Sequence, residues 1–157
     1  SLKKYFCLAE LITVAPEQLN GDFVISEKQL KYALGNKKRQ AVVIRTIPNL
    51  SDKKFRQYSD SNPPYLLEEA THYLVQKGVD HLLIDLPSVD KEKDDGDLLA
   101  HKAFWNMNGK RRKKATITEF IFVPNPVTDG TYFLDLQVAP FENDASPSRP
   151  VLYKIEE

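Results

Sequence analysis

Apolar positions along this chain fall into two periods, one matching extended strands and one matching helices. Tyr5 to Val14 is apolar and partly β-branched, and reads as a strand ending at Ala15-Pro16. Ser26 then offers an N-cap for EKQLKYAL, in which Leu30, Ala33 and Leu34 share one face and Gly35-Asn36 supplies a stop. After the basic turn Lys37 to Arg39, AVVIRT (41–46) is an unbroken run of strand length, of the kind buried on both faces of a sheet. From Tyr65 to Lys77, Leu66, Ala70, Tyr73 and Leu74 recur near helical spacing. Pro64 suits a first turn there, and Gly78 a terminator. A second buried strand, His81 to Asp85, follows at once. Strand, helix and strand in this order make a right-handed crossover, so the two strands are expected to be parallel neighbours.

Beyond Asp85 come a Pro87-Ser88 turn, an acidic loop and a short helix from about Leu98. Positions 98, 101 and 105 lie on one stripe of that helix, so His101 should point inward with Leu98 and Trp105. The strand TITEFIFV (116–123) follows, and its alternation puts Glu119 on the side of Ile117, Ile121 and Val123. A turn at Pro124 to Gly130, a strand over YFLDLQVA (132–139) and a strand from Pro150 to Ile155 complete the pattern. The class expected is α/β, a mixed sheet with flanking helices. Ligands of open α/β sheets gather at the carboxyl ends of the strands, where the loops after Thr46 and Asp85 both emerge. The first of these, Pro48 to Pro64, is long and polar, and its Phe55 and Tyr58 are expected to line a pocket.

Composition narrows the partners. A chain of 157 residues with 41% hydrophobic content suffices for one domain with a core, expected to span residues 1–157. Lys plus Arg equals Asp plus Glu at 22 each, so no net field favours nucleic acid or an anionic membrane. The basic run Lys110 to Lys114 has no interleaved aromatics and reads as a solvated loop. No apolar run has membrane-spanning length, and the segment after Lys3-Lys4 meets Glu10 rather than a cleavage-like stretch. The single cysteine, Cys7, lies among Phe6, Leu8 and Leu11 and reads as a buried thiol, which fits a reducing, cytoplasmic setting.

A carboxylate on an apolar strand face is costly to bury without a cation or strong donors. Helix, loop and returning strand can bring Glu119 to His101, and an imidazole with a carboxylate suits a borderline divalent ion such as zinc or manganese. The same two groups can equally hydrogen-bond to one another beneath the sheet. Asp85 and Asp90 bracket a strand-end turn as ligand, base or caps of that turn. An EF-hand counted from Asp90 fails, because glycine and glutamate are required where Asp95 and His101 stand. Ser88 lacks a nucleophile elbow, and His72 and His81 read as structural.

Ile84-Asp85 with PSVD (87–90), the acidic insert and LLAHKAFW (98–105) resemble the metal-dependent cyclase family, whose best-known members are bacterial kynurenine formamidases. The likeness extends through ITEFIFV to FENDASPSRPVLYKI, and back through AVVIRT and NPPYLLEEA. It implies a swivelling β/β/α fold and hydrolysis of an amide, as in N-formylkynurenine, or of a lactone or related acyl bond by metal-activated water. It further implies His101 and Glu119 as ligands of zinc or manganese, with Phe55, Tyr58 and Trp105 shaping the pocket of a small-molecule substrate. The family's base and remaining ligands come from a His-x-Gly-Thr-His-x-Asp segment, normally upstream. The histidines of this sequence are His72, His81 and His101, without that spacing. The chain therefore reads as the carboxy-terminal part of a longer cyclase-family domain with no catalytic base of its own. The alternative is a non-catalytic binding subunit, or one half of a two-chain enzyme. A homodimer is expected in either case.

Overall fold

The computed structural model describes residues 5–156. In chain order the elements are β1 (Phe6–Val14), β2 (Glu17–Leu19), β3 (Asp22–Ile25), α1 (Glu27–Leu34), β4 (Ala41–Thr46), a 3-10 turn (Ser51–Lys54) and β5 (Tyr65–Leu66). They continue with α2 (Glu68–Gln76), β6 (His81–Ile84), α3 (Leu99–Trp105), β7 (Thr116–Thr118), β8 (Gly130–Asp135) and β9 (Val151–Lys154). A mixed six-stranded sheet runs β7-β6-β4-β1-β8-β9, with β1, β4, β6 and β7 parallel and β8 and β9 antiparallel to their neighbours. As the crossover pattern requires, β4 and β6 lie side by side, Val42 opposite Leu82 and Ile44 opposite Ile84.

The unbroken apolar run of β4 has its reason in two cores. Val42 and Ile44 pack with Leu82, Ile84 and the inner faces of α1, α2 and α3, including Leu30, Leu74 and Phe104. Ala41 and Val43 point the other way, toward Leu83, Leu134 and Leu136. Each fully buried Leu or Ile of this kind contributes about 1.5–3 kcal/mol. Cys7 belongs to the second core, as its apolar neighbours imply, and burial pushes its thiol pKa up.

Helix α1 follows Ser26, whose backbone N–H donates to the Gln29 side chain at 3.1 Å. It stops at Gly35, whose φ of +51° is left-handed and whose N–H donates to Lys31 O. The helix expected over 65–77 is shorter. Tyr65 and Leu66 are extended, paired in parallel with Val24 and Ile25 in a separate three-stranded sheet β2-β3-β5. Leu66 N donates to Val89 O and Leu67 N to Ile25 O, and these long-range bonds outweigh helical propensity before Glu68. The strand expected over 116–123 is likewise cut to Thr116–Thr118, because Phe120 adopts a left-handed φ of +58°. The alternation reverses there, so Ile117 packs with the helix-side core and Ile121 and Val123 with the opposite one. Gln137, also left-handed, ends the next ladder after Asp135. No helix among the described residues is long and apolar enough to cross a membrane.

Candidate functional site

The parallel strands β4 and β6 end side by side, and their loops meet there. Asp85, wholly buried, accepts the Thr46 backbone N–H at 2.9 Å, the Thr46 hydroxyl at 2.8 Å and the Lys53 ammonium at 2.8 Å. It ties two strand ends and the loop of Ser51–Lys54 together rather than capping its own turn. Five residues on, the Pro87-Ser88 turn brings Asp90 under the start of α3. There its carboxylate accepts the backbone N–H of Ala100 at 2.6 Å and of His101 at 3.3 Å. The same Oδ2 lies 2.6 Å from His101 Nδ1.

The other ring nitrogen, His101 Nε2, is 3.6 Å from Glu119 Oε1. That oxygen also accepts the backbone N–H of Val89 at 2.9 Å. Structure therefore brings His101 and Glu119 together, with Asp90 behind the imidazole and Trp105 packed against its face at 5.2 Å between ring centroids. His101 lies on the flank of α3, with a fifth of its side chain exposed. The inward face belongs to Ala100, Ala103 and Phe104, and Leu98 stands outside with a left-handed φ of +47° that begins the helix. The stripe drawn from Leu98 fails because Leu98 precedes the helical turn.

Burial lowers the affinity of His101 for a proton, but the Asp90 hydrogen bond and the charges of Glu119, Asp90 and Asp94 outweigh it, and the net shift is upward. Burial raises the pKa of Glu119 despite the Val89 N–H and the imidazole nearby. Both groups thus hold a proton more readily than in water. A separation of 3.6 Å fits a weak ion pair, and it also fits two donors of one tetrahedral zinc, each roughly 2.0–2.2 Å from the ion. Imidazole and carboxylate are suitable zinc or manganese donors. Among the described residues, no group of three or more His, Cys, Asp or Glu could hold a metal ion. These residues can supply part of a donor set, not a whole one.

A cleft of about 440 Å³ opens beside the site, lined by Tyr58, Ser88, Asp90, Leu98 and Phe120 among others. Tyr58 meets Phe120 edge-on at 6.0 Å. Phe55 is largely exposed and lines an adjoining cleft of about 350 Å³ with Lys53 and Asp85. Trp105 donates its indole N–H to Ala115 O at 3.1 Å, and its ring lies against that of His101. A broader cleft of about 800 Å³ lies over the opposite sheet face, between Val43, Leu83 and Leu134, and reaches Glu119 at the sheet edge. His81 Nδ1 is bonded to Thr116 Oγ1 within the sheet, and His72 is exposed near Glu68. What sequence reasoning missed is that Val89 and Asp90 each grip one of the two site residues; no periodicity signals a contact made across a loop.

Residues 1–91 match the Cyclase family, described as "Putative cyclase"; the matched stretch ends just after Asp90 and before His101 and Glu119. No curated protein matches the sequence. Among solved structures, a "potential metal-dependent hydrolase with cyclase activity" superposes with a TM-score of 0.72 at 18% identity, over 100% of this chain and 69% of that one. A "predicted metal-dependent hydrolase" from Bacillus stearothermophilus gives 0.68 at 19% identity, over 97% of this chain and 65% of that one. Isatin hydrolase A from Labrenzia aggregata gives 0.65 at 12% identity, over 94% and 60%. The chain thus spans roughly two thirds of the length of these structures, and the likeness is one of fold.

Proposed function

The chain belongs to the cyclase family, and from that premise we propose that it carries part of the metal site of a hydrolase acting on an amide, lactone or related acyl bond. The observation that carries this reading is the convergence of His101 Nε2 and Glu119 Oε1, from separate elements, to 3.6 Å of one another. His101 and Glu119 would hold a zinc or manganese ion. Such an ion supplies Lewis acidity toward an acyl carbonyl and toward water. The chain's own residues do the rest of the local work. Asp90 holds the imidazole, the Val89 N–H holds the carboxylate, and Tyr58 with Phe120 gives the 440 Å³ cleft an aromatic wall for a small-molecule substrate. Phe55 extends that wall at the loop tip and Trp105 backs the imidazole.

A second reading is favoured by the want of a third donor among the described residues: the chain serves as a binding subunit, or as one half of a two-chain enzyme whose other half completes the site. A homodimer in the cytoplasm is consistent with both. The protein isolated from its source with an antibody to the carboxy-terminal segment decides. Bound zinc or manganese, with formamide or lactone turnover that is lost on chelation, is the expected result. A metal-free protein inert toward both substrate classes would overturn the hydrolase reading.

A further inference from the structure

We infer that the Val89–Asp90 dipeptide is the positioning element of this site, and that the Asp90 carboxylate fixes His101 in the tautomer protonated on Nδ1, leaving the Nε2 lone pair facing Glu119. The inference rests on the reading of His101 as a metal donor, and adds how the chain prepares that donor.

The geometry leaves little choice. Asp90 is almost fully buried, and its own N–H is tied to Ser88 Oγ at 3.0 Å. Its Oδ1 takes the Ala100 N–H, and its Oδ2 takes the His101 N–H and lies 2.6 Å from His101 Nδ1. Both oxygens already accept backbone N–H groups, so the carboxylate meets the ring as an acceptor and the nitrogen 2.6 Å away carries the proton. The opposite tautomer would set a nitrogen lone pair against an oxygen of a carboxylate that is itself almost fully buried. With Nδ1–H committed, Nε2 is free to donate its lone pair, and the negative charge behind the ring makes it a stronger base. Trp105 packs against the ring at an interplanar angle of 51°. One residue earlier, the Val89 N–H holds the Glu119 oxygen nearest to Nε2. Two adjacent residues of one turn therefore aim both donors, one through a side chain and one through the backbone.

Long-range ¹H–¹⁵N correlation spectra of the full chain read the ring tautomer directly, with His72 and His81 assigned by substitution. On the alkaline side of its titration, wild-type His101 is expected to show a protonated Nδ1 and an unprotonated Nε2. Asp90→Asn, whose amide oxygen still accepts, should keep that tautomer, whereas Asp90→Leu should shift it toward Nε2–H. Cobalt or zinc affinity should fall roughly 10- to 100-fold in Asp90→Leu, with Asp90→Asn between it and the wild type. A wild-type His101 protonated on Nε2, or a tautomer unmoved by Asp90→Leu, overturns the inference. Should Asp90→Leu fail to fold, the wild-type spectrum and Asp90→Asn still decide. The metal reading fails separately: His101→Ala leaving cobalt affinity unchanged would remove it while the tautomer result stands.

Discussion

The Lys53 ammonium lies 2.8 Å from the Asp85 carboxylate, with both side chains almost wholly withdrawn from solvent. Its other protons go to Thr46 O at 2.6 Å and Thr46 Oγ1 at 2.8 Å, so all three donors are satisfied. This cluster locks the loop that carries Tyr58 to the ends of the two central strands. Lys53→Met leaves a buried carboxylate without its cation and is expected to cost about 3–5 kcal/mol in denaturant unfolding. Adding Asp85→Asn to that variant should recover part of the loss. Additive losses would show that the two side chains act independently.

Arg45 performs a similar task on the other face. From a nearly buried position its Nη1 donates to Pro124 O and Val127 O, its Nη2 to Asp129 and its Nε to Thr13 Oγ1. Lysine has neither the fork nor the reach to make these bonds together. Arg45→Lys should lower stability by about 1–3 kcal/mol, and amide exchange should quicken first in residues 124–129. Unchanged protection there would refute the assignment.

Asp22 sets a pH limit. Hydrogen bonds from Lys91, Asn62 and Tyr65 hold its pKa down to about 2 from 3.8. A depressed carboxylate contributes stability that is present above its unfolded value and lost as pH falls through its folded one. That contribution should fade between 3.8 and about 2. Its partner Tyr65 is pushed up to about 12, chiefly by burial and then by the Asp22 bond, so folding opposes loss of the phenol proton and stability should fall as pH rises from 10 toward 12. Urea midpoints across both ranges should show the two limbs in the wild type and a flatter acid limb in Asp22→Asn. Identical acid limbs would contradict this account.

Phe120 is the left-handed residue that follows β7, and it is 66% exposed. A side chain in that backbone region costs about 1–2 kcal/mol, a cost glycine avoids. Phe120→Gly is therefore expected to be more stable than Phe120→Ala by about 1 kcal/mol in thermal unfolding. Within a regular strand the order would be reversed, and finding it reversed here would show that Phe120 is extended in solution.

The sequence by itself determined the frame. Periodicity placed β4, β6 and the helix between them, because a strand buried on both faces must be apolar throughout and a helix with one inner face must repeat near 3.6. It also singled out His101 and Glu119 as polar groups needing partners, and the resemblance to the cyclase family paired them as ligands, although the stripe through Leu98 and the unbroken alternation through Ile121 do not hold in the fold. Only the tertiary structure decided the local turns of the chain. Tyr65 and Leu66 are strand because Ile25 and Val89 bond to them from afar, and the alternation of 116–123 reverses because Phe120 turns left-handed. Nor could spacing show that Asp90 faces Nδ1 while Glu119 faces Nε2. Periodicity records which side of an element a residue occupies. Hydrogen bonds between loops depend on where separate elements end in space, and that is fixed only once the sheet and its helices have packed.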